Sequence, residues 1–415
     1  MKKFLILLSF MLVAIKVCAV RIGQLYFELH EENKTAEVTG IYANMYTHEV
    51  IYSNVVIPFQ IDDKGNIYKV TKIGPKAFLG VKGIYVLSIP NTIVEIGSSA
   101  FTMCPIKNLV INDLSAYCNI LFADIGSSPS PELLYLNDEI ITDLVIPDIQ
   151  SVNNYAFYGF NCLKSILISN SVNTIGDETF TGCTELESIK VNPGNTKYDS
   201  RNNSNTIIET SSNKLLLGCK NSIIPNSVKI IGDYAFCDCT ELTSINIPNG
   251  VTTIGDCAFK GCKGLSSVTI PDGVASIGAG AFYDCMGLSS VTIPDGVTSI
   301  GGGAFAWCSS MTSIIIPSSI MRIGEGAFAG CYELEKVNIY DINSWCSIQF
   351  GNESANPLSN AHNLYLAGEL ITNLIIPESV KSIGKYAFYG CSSLISVTIP
   401  QSVTRIGESS FYDCI

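Results

Sequence analysis

Hydrophobic and polar positions repeat with a fixed period along most of the chain. Each copy is marked by the phenylalanine of an Ala-Phe-x-x-Cys-like element. Seven of the ten spacings between markers are 23 residues, and the other three are 56, 56 and 60. Units of this length bury their apolar sides against their neighbours, so the pattern predicts a repeat architecture with one continuous core. The marker phenylalanines are Phe78, Phe101, Phe157, Phe180, Phe236, Phe259, Phe282, Phe305, Phe328, Phe388 and Phe411.

The unit at residues 262–284 shows which elements the pattern predicts. Val268 and Ile270 alternate with the polar Ser267 and Thr269, a period of two that is typical of a half-buried strand. The Pro-Asp-Gly sequence that follows ends the strand in a turn. Further apolar positions then return to the core: Val274, Ile277, Ala281 and Phe282.

The position four residues before each marker, the glycine column, is almost invariant along the chain. It holds glycine in ten copies, from Gly74 to Gly407, and Asn153 in the remaining one. Glycine and asparagine are the residues that most easily adopt a positive φ. The column therefore predicts a left-handed turn in every coil.

Leu265, Val268 and Ile270 have the spacing L-x-x-L-x-L that is typical of leucine-rich repeats. Together, these features predict a β-rich solenoid of the leucine-rich-repeat kind, a right-handed superhelix of about eleven 23-residue coils with short helical and hairpin insertions. The solenoid spans 71–415 and follows an N-terminal capping region at 20–70, in which alternation around 26–38 suggests a hairpin. The insertions lie at about 113–146, 192–220 and 341–376. They are either sites of ligand contact or enlarged coils, and both interpretations stay open.

The first and last insertions resemble each other. Each begins with an aspartate, Asp113 or Asp341, that is expected to cap a short helix. Each then carries a Leu-Tyr-Leu segment and a hairpin turn, expected at Asn137-Asp138 and at Ala367-Gly368. The middle insertion has a polar turn region at 199–205 between strand-like pieces.

Nine of the sixteen cysteines stand three residues after a marker and form a cysteine column. Neighbouring members could approach closely enough for disulfides, which are common in exported proteins. Val81 and Phe160 occupy the same column in two other coils, however. The column is therefore interpreted as buried free thiols that fill apolar space. Cysteine spacing typical of a zinc site is absent, and no metal or other cofactor is expected.

Residues 1–19 have the features of a secretion signal peptide. Lys2 and Lys3 precede an apolar stretch at 4–15, and small residues at 17–19 offer a cleavage site after Ala19. We therefore expect a protein that is secreted or displayed at the cell surface. No other segment is long enough to form an integral membrane span.

The charge of the chain limits its partners. The formal net charge is −12 and the basic residues are not clustered. This composition argues against nucleic acid and against an anionic membrane surface.

The consensus Cys-x-x-Leu-x-x-Val-x-Ile-Pro-x-x-Val-x-x-Ile-Gly-x-x-Ala-Phe-x-x-Cys resembles the BspA-like family of bacterial surface leucine-rich repeats over about residues 70–415. The resemblance implies an extracellular protein, and some family members are implicated in adhesion to host matrix proteins or other bacteria. It therefore implies a binding role without naming the ligand. The chain departs from the commoner leucine-rich repeat at Gly273 and Gly296, where an asparagine ladder would stand.

Two surfaces are candidates for binding a protein ligand or a glycan. The face row consists of the outward positions on the main strand, and it predicts a flat, mostly polar ladder; an ordinary solvated strand face is the alternative. The aromatic set stands beside the markers and has the composition of contact surfaces; coverage of the coil edge is the alternative. The face row is Ser88, Lys190, Asn246, Thr269, Thr292, Ile315, Asn338 and Thr398, and the aromatic set is Tyr155, Tyr158, Tyr234, Tyr283, Trp307, Tyr386, Tyr389 and Tyr412.

No sequence motif for catalysis is recognisable, and no catalytic residue is assigned. The three histidines, His30, His48 and His362, lie in no metalloprotease or serine-hydrolase pattern. A secreted or surface adhesion protein is the first hypothesis. The alternatives are a carbohydrate-active solenoid enzyme, which needs carboxylates with raised pKa gathered in one groove, and a structural spacer.

Overall fold

The computed structural model describes residues 18–43, 46–50 and 53–414. It is a β-solenoid of about 15 turns with little helix, so the predicted fold class is confirmed. The coil number of about eleven was too low. The marker counts only regular units, whereas the insertions and the N-terminal segment also add strands to the stack.

One side of the solenoid is built from the main strands of most units, which together we call the face ladder. Neighbouring coils pair in parallel and in register, so Val268 lies beside Val291 and Thr269 beside Thr292. Alternate residues are buried, as the period of two predicts. The strands are Asn54–Val56, Ile84–Ile89, Ile106–Ile111, Leu133–Leu136, Asp143–Val145, Ser165–Ile168, Ser188–Val191, Ser267–Thr269, Ser290–Thr292, Ser313–Ile315, Lys336–Ile339, Leu364–Leu366, Asn373–Ile375 and Ser396–Thr398.

A second ladder of very short strands, the glycine ladder, ends just before the glycine column. Its isoleucines also pair in register, as Ile277 does with Ile300. The strands are Asn66–Ile73, Glu95–Ile96, Leu121–Phe122, Ser151–Val152, Thr174–Ile175, Ile230–Ile231, Thr253–Ile254, Ser276–Ile277, Ser299–Ile300, Arg322–Ile323, Gln349–Phe350, Ser382–Ile383 and Arg405–Ile406.

The glycine column does not form left-handed turns, and that prediction was wrong. None of its glycines, nor Asn153, is among the residues with positive φ. The column needs glycine because adjacent coils approach too closely for a side chain. A Cβ on Gly301 would lie 2.5 Å from the backbone nitrogen of Ala279, and one on Gly324 would lie 2.4 Å from that of Gly302.

The left-handed residues are found on both sides of the marker instead. The residues two before and two after each phenylalanine have positive φ in all eleven copies. The turn around the marker therefore has a fixed backbone shape, which side chains must tolerate. The first set is Lys76, Ser99, Tyr155, Glu178, Tyr234, Cys257, Gly280, Gly303, Gly326, Tyr386 and Ser409, and the second is Gly80, Met103, Gly159, Gly182, Asp238, Gly261, Asp284, Trp307, Gly330, Gly390 and Asp413.

The marker phenylalanines stack along the core. From Phe236 to Phe328, successive ring centroids are 5.1–5.5 Å apart and nearly parallel. The first and last insertions keep the core filled with an aromatic residue from their helix. Tyr117 contacts the ring of Phe157, and the indole of Trp345 donates a hydrogen bond to the carbonyl of Ala387 at 2.8 Å.

The helices and hairpins of these two insertions are formed as predicted. The Asp113 carboxylate accepts a hydrogen bond from the backbone N–H of Ala116 at 2.9 Å, and that of Asp341 accepts one from Ser344 at 2.8 Å. Both hairpins have two central residues with positive φ, which suits a type I′ turn. The helices are α1 (Leu114–Cys118), α2 (Ile342–Ser347) and α3 (Leu358–Ala361), the return strands are Glu139–Ile141 and Glu369–Leu370, and the 3₁₀ turns, including one in the middle insertion, are Ile125–Ser127, Arg201–Asn203 and Glu353–Ala355.

The N-terminal segment and the middle insertion are built differently from the regular coils. The expected N-terminal hairpin pairs Leu25–His30 with Thr35–Ile41, which in turn pairs with the first strand of the glycine ladder. Most of the predicted signal peptide lies outside the described residues. The remaining strands here are Cys18–Ile22, Gln60–Asp63, Tyr198–Asp199, Thr206–Glu209 and Lys214–Gly218.

The cysteine column combines burial with a directional contact. The thiol of Cys285 donates to the carbonyl of Phe259 at 3.1 Å, and the same contact recurs from Cys308 to Phe282 at 3.2 Å. Burial raises the pKa of Cys285 to about 12. The thiols therefore act as small apolar groups that also satisfy the carbonyl of a marker in the preceding coil.

Candidate binding surface

The face row is present but interrupted. Thr269 and Thr292 are exposed and lie side by side on paired strands. Asn338 is half-buried and pairs with Ile315 in a neighbouring short sheet. Asn246 is exposed but lies outside the strands, and Thr398 is exposed on a separate sheet that follows the last insertion. The structure thus brings together only parts of the predicted row.

The insertions add residues to the face row that sequence reasoning missed. Tyr365 pairs in register with Asn338, and Tyr135 pairs with Val110. The face-ladder strand that follows the last insertion adds an exposed apolar side chain, because Ile375 is 68% exposed. The Leu-Tyr-Leu segment shared by the two insertions was the available signal. The face is consequently more amphipathic than the regular repeats predict.

The aromatic set divides into separate clusters. Tyr389 stacks on Tyr412 at 5.5 Å and meets Tyr386 edge-on at 6.2 Å. Trp307 meets the exposed Tyr332, which was not predicted, at 5.8 Å. The clusters therefore form local patches and not one continuous aromatic surface.

The Lys260 ammonium lies 5.7 Å from the ring of Tyr283. This distance is within the range of a cation–π contact. Tyr283 is half-buried, and its ring already contacts a lysine of the same molecule.

Four predicted aromatic residues hold a backbone conformation that bulky side chains rarely adopt. Tyr155, Tyr234, Tyr386 and Trp307 have φ between 57° and 63°. Each left-handed residue other than glycine is less stable by about 1–2 kcal/mol. Glycine occupies the equivalent positions in other coils, so the aromatic side chains are not required by the fold at these points.

Two members of the aromatic set line the same cleft. Tyr155 and Tyr234 are 79 positions apart in numbering, yet both line a cleft of about 320 Å³ beside the middle insertion. Glu178 and Lys214 also line it. The cleft marks the place where the regular stack is broken, because the hydrophobic core on either side belongs to two separate clusters.

Glu178 is the chemically distinctive residue of this cleft, and sequence reasoning missed it. Its side chain is half-buried and its φ is 50°. Burial and the charge of Asp177 raise the pKa of the Glu178 carboxyl, while Lys260 opposes the shift. Burial raises the pKa of Tyr234 and of Tyr158 to about 12. The position two residues before the marker varies in residue type from coil to coil, so an acid at Glu178 could not be recognised as functional from the sequence.

Among residues 18–43, 46–50 and 53–414, no group of three or more His, Cys, Asp or Glu side chains could hold a metal ion. Within the same part of the chain, no helix combines the length and apolar character required to span a bilayer.

Comparison with protein families gives one match that covers most of the chain. The family model for the BspA type leucine rich repeat region matches six times, over residues 52–127, 134–215, 229–355 and 362–415. No curated protein sequence matches the chain significantly.

Several solved structures share the fold. A leucine-rich cell surface protein of Faecalibacterium prausnitzii is 26% identical, with a TM-score of 0.51 over 81% of this chain and 98% of that one. A leucine-rich repeat protein of Eubacterium ventriosum is 21% identical, with a TM-score of 0.56 over 95% and 94% of the two chains. The pneumococcal vaccine antigen PcpA is 17% identical, with a TM-score of 0.51 over 94% and 98%. The last two similarities concern the fold alone.

Proposed function

Because the chain belongs to the BspA-type leucine-rich repeat family, we propose that it is an exported surface protein that binds protein ligands across its face ladder. The similarity to a cell surface protein at 26% identity supports the surface location. The signal peptide expected at residues 1–19 supports export. The proposal treats the protein as a binding module without catalytic activity.

The observation that carries this proposal is the in-register face ladder with its mixed outward residues. Paired threonines such as Thr269 and Thr292 offer hydroxyl groups. Tyr365 and the exposed Ile375 add aromatic and apolar surface nearby. Amphipathic aromatic residues beside polar groups are typical of protein–protein interfaces.

A binding array tests the proposal. Purified protein is applied to immobilised matrix proteins, bacterial surface proteins and glycans, and retained ligands are measured by surface plasmon resonance. We expect a protein ligand whose affinity falls at least tenfold in the double variant Thr269→Lys/Thr292→Lys, because both lysines would enter the face.

The control variant carries the same added charge away from the face. Ala275→Lys/Met321→Lys changes two exposed residues beside the glycine ladder, and its affinity should equal that of the wild type. Equal losses in both variants, or an array that retains no protein ligand, would contradict the proposal.

One observation favours a carbohydrate-active role as the second candidate. The cleft beside the middle insertion is lined by Asp177, Glu178 and Asp233, and the pKa of Glu178 is raised, as a general acid requires. Incubation with a panel of polysaccharides, followed by reducing-end detection, tests this role. Turnover by the wild type that is lost in Glu178→Gln would support it, and no turnover on any polysaccharide would reject it.

A further inference from the structure

In the regular coils, three backbone N–H groups around the marker donate to the following coil. The coil of Phe236 shows the pattern. Tyr234 donates to the carbonyl of Asp256 at 2.9 Å, Phe236 to that of Ala258 at 2.7 Å, and Asp238 to that of Lys260 at 2.7 Å. These alternate donors hold successive turns together on the side of the phenylalanine stack.

The coil of Phe180 lacks this connection. The equivalent donors are the N–H groups of Glu178, Phe180 and Gly182, and within the described residues none of the three makes a hydrogen bond. The middle insertion follows this coil and supplies no marker turn. The row of donors consequently borders the cleft that Glu178 and Phe180 line.

The coil of Phe236, whose Asp233 and Tyr234 line the opposite side of the cleft, shows the complementary gap. The carbonyls of Asp233 and Cys237 occupy the positions that accept hydrogen bonds in regular coils, and neither accepts one from the described residues. Only the central carbonyl, that of Ala235, is used, by the N–H of Gly218 at 2.8 Å. The donors of the Phe180 coil and two acceptors of the Phe236 coil are therefore unpaired in the described part of the chain, because no marker turn lies between the two coils.

The charge of the cleft is negative. Asp177, Glu178 and Asp233 line it together with a single cation, Lys214. Within the described residues, the carboxylate of Glu178 forms neither a hydrogen bond nor an ion pair with another side chain. Lys260, which does not line the cleft, lowers the pKa of the Glu178 carboxyl through its charge. A basic side chain that enters the cleft would therefore find an acceptor.

We propose that this cleft binds an extended segment of the protein ligand, with the segment replacing the missing turn and a lysine or arginine side chain meeting Glu178. The inference rests on the proposed function in that the ligand is a protein. The equivalent three N–H groups donate to peptide carbonyls in the regular coils, so the spacing of these donors suits a peptide backbone. Addition of a peptide to an unpaired edge is an established mode of recognition, in which backbone hydrogen bonds supply affinity and side-chain sites supply specificity.

Hydrogen exchange with a defined peptide tests this assignment. The probe is the capped hexapeptide Ac-Ala-Lys-Ala-Lys-Ala-Lys-NH₂, and its glutamate counterpart is the charge control. The lysine peptide should slow amide exchange in the segment 176–183 and leave the matching segment 255–262 of a regular coil unchanged. The glutamate peptide should slow neither.

Calorimetry of variants gives a second measurement. Glu178→Gln should weaken binding of the lysine peptide about tenfold, whereas Glu325→Gln, which changes an exposed carboxylate in a regular coil, should leave the affinity unchanged. Unchanged exchange at 176–183 would overturn the assignment. Slowed exchange there with cellotetraose but not with the lysine peptide would also overturn it, and would identify a glycan site.

The outcome separates this inference from the proposed function. A protein that retains an array ligand through its face ladder but shows no protection by the lysine peptide would refute the cleft assignment and leave the proposed function intact. Protection by the peptide in a protein that retains no array ligand would support the cleft and refute the role of the face.

Discussion

A methyl group added at Gly301 tests why the glycine column exists. The Cβ of Gly301→Ala would lie 2.5 Å from the nitrogen of Ala279 and 2.6 Å from the carbonyl carbon of Gly278. Favourable contacts between such atoms are nearer about 3.5–4.0 Å. The two coils must therefore separate by roughly 1 Å, and all the atoms in the way belong to backbone that cannot rotate aside.

The expected loss of stability follows from two contributions. Overpacking of a close contact destabilises by about 1–3 kcal/mol. Separation of the coils also weakens the hydrogen bond from the N–H of Gly301 to the carbonyl of Ile277, at 2.9 Å, which is worth about 1 kcal/mol. We expect Gly301→Ala to lower the free energy of unfolding by about 2–4 kcal/mol.

The neighbouring glycine is a matched control. A Cβ on Gly302 would come no closer than 3.3 Å to the carbonyl oxygen of Glu325, and the preceding coil already has alanine, Ala279, at this column position. Gly302→Ala should change the free energy of unfolding by less than about 1 kcal/mol, because reduced freedom of the unfolded chain offsets the tighter contact.

Urea denaturation followed by circular dichroism measures both variants. Gly301→Ala should lower the urea midpoint, whereas Gly302→Ala should leave it nearly unchanged, because the midpoint is proportional to the free energy of unfolding when the slope stays the same. Equal midpoints for the two alanine variants would refute the close-approach explanation. It would then follow that the glycine column serves some other purpose.

Three further perturbations address the core, the cysteine column and the helix cap. Phe282→Ala, which removes a fully buried ring from the stack, should lower the free energy of unfolding by about 3–5 kcal/mol, whereas Tyr332→Ala at an exposed position should have little effect in the same denaturation experiment. The pKa of Cys285 is raised from 9.0 to about 12, so the unfolded chain loses this proton first. The contribution of Cys285 to stability should therefore be constant below pH 9 and fall between pH 9 and 12, and Cys285→Ala should reduce the slope of a pH series in that window. Asp341→Ala removes the cap of α2 and should cost about 1 kcal/mol. Since hydrogen bonds lower the pKa of Asp341, its contribution should be lost as the pH falls through the acidic range, and thermal melts at pH 7 and pH 3 that shift equally in wild type and variant would contradict this.

The regular coils could be predicted from sequence because each position recurs eleven times. The alternation of Val268 with Thr269 fixed the strand and its buried face. The hairpin turns followed from Asn137-Asp138 and from Gly368, which tolerate positive φ. The glycine column was misassigned because glycine has two structural uses, a left-handed backbone and a close approach, and a single sequence does not distinguish them. The left-handed positions beside the marker hold tyrosine, cysteine and serine as well as glycine, so composition there concealed the conformation.

The cleft lay beyond prediction for a different reason. It is produced by what the middle insertion fails to supply, and a missing partner leaves no pattern in the residues that remain. Tyr155 and Tyr234 were selected for their aromatic character, but their common location depends on how the chain between them folds. Glu178 has a polar neighbour on either side in sequence, Asp177 and Thr179, and nothing local distinguishes it from a solvated acid.

The interruption of the phenylalanine stack has a consequence for mechanical load. Ring contacts continue from Phe236 to Phe328, but no described ring bridges Phe180 and Phe236. On the far side of this junction, Lys220 joins Glu187 to Glu241 at 3.1 and 2.7 Å. The two carboxylates are 50% and 59% exposed, and ion pairs open to solvent contribute little. When the molecule is stretched between its ends in an optical trap, the junction at residues 192–220 should separate first. The folded segments on its two sides should then unfold one after the other.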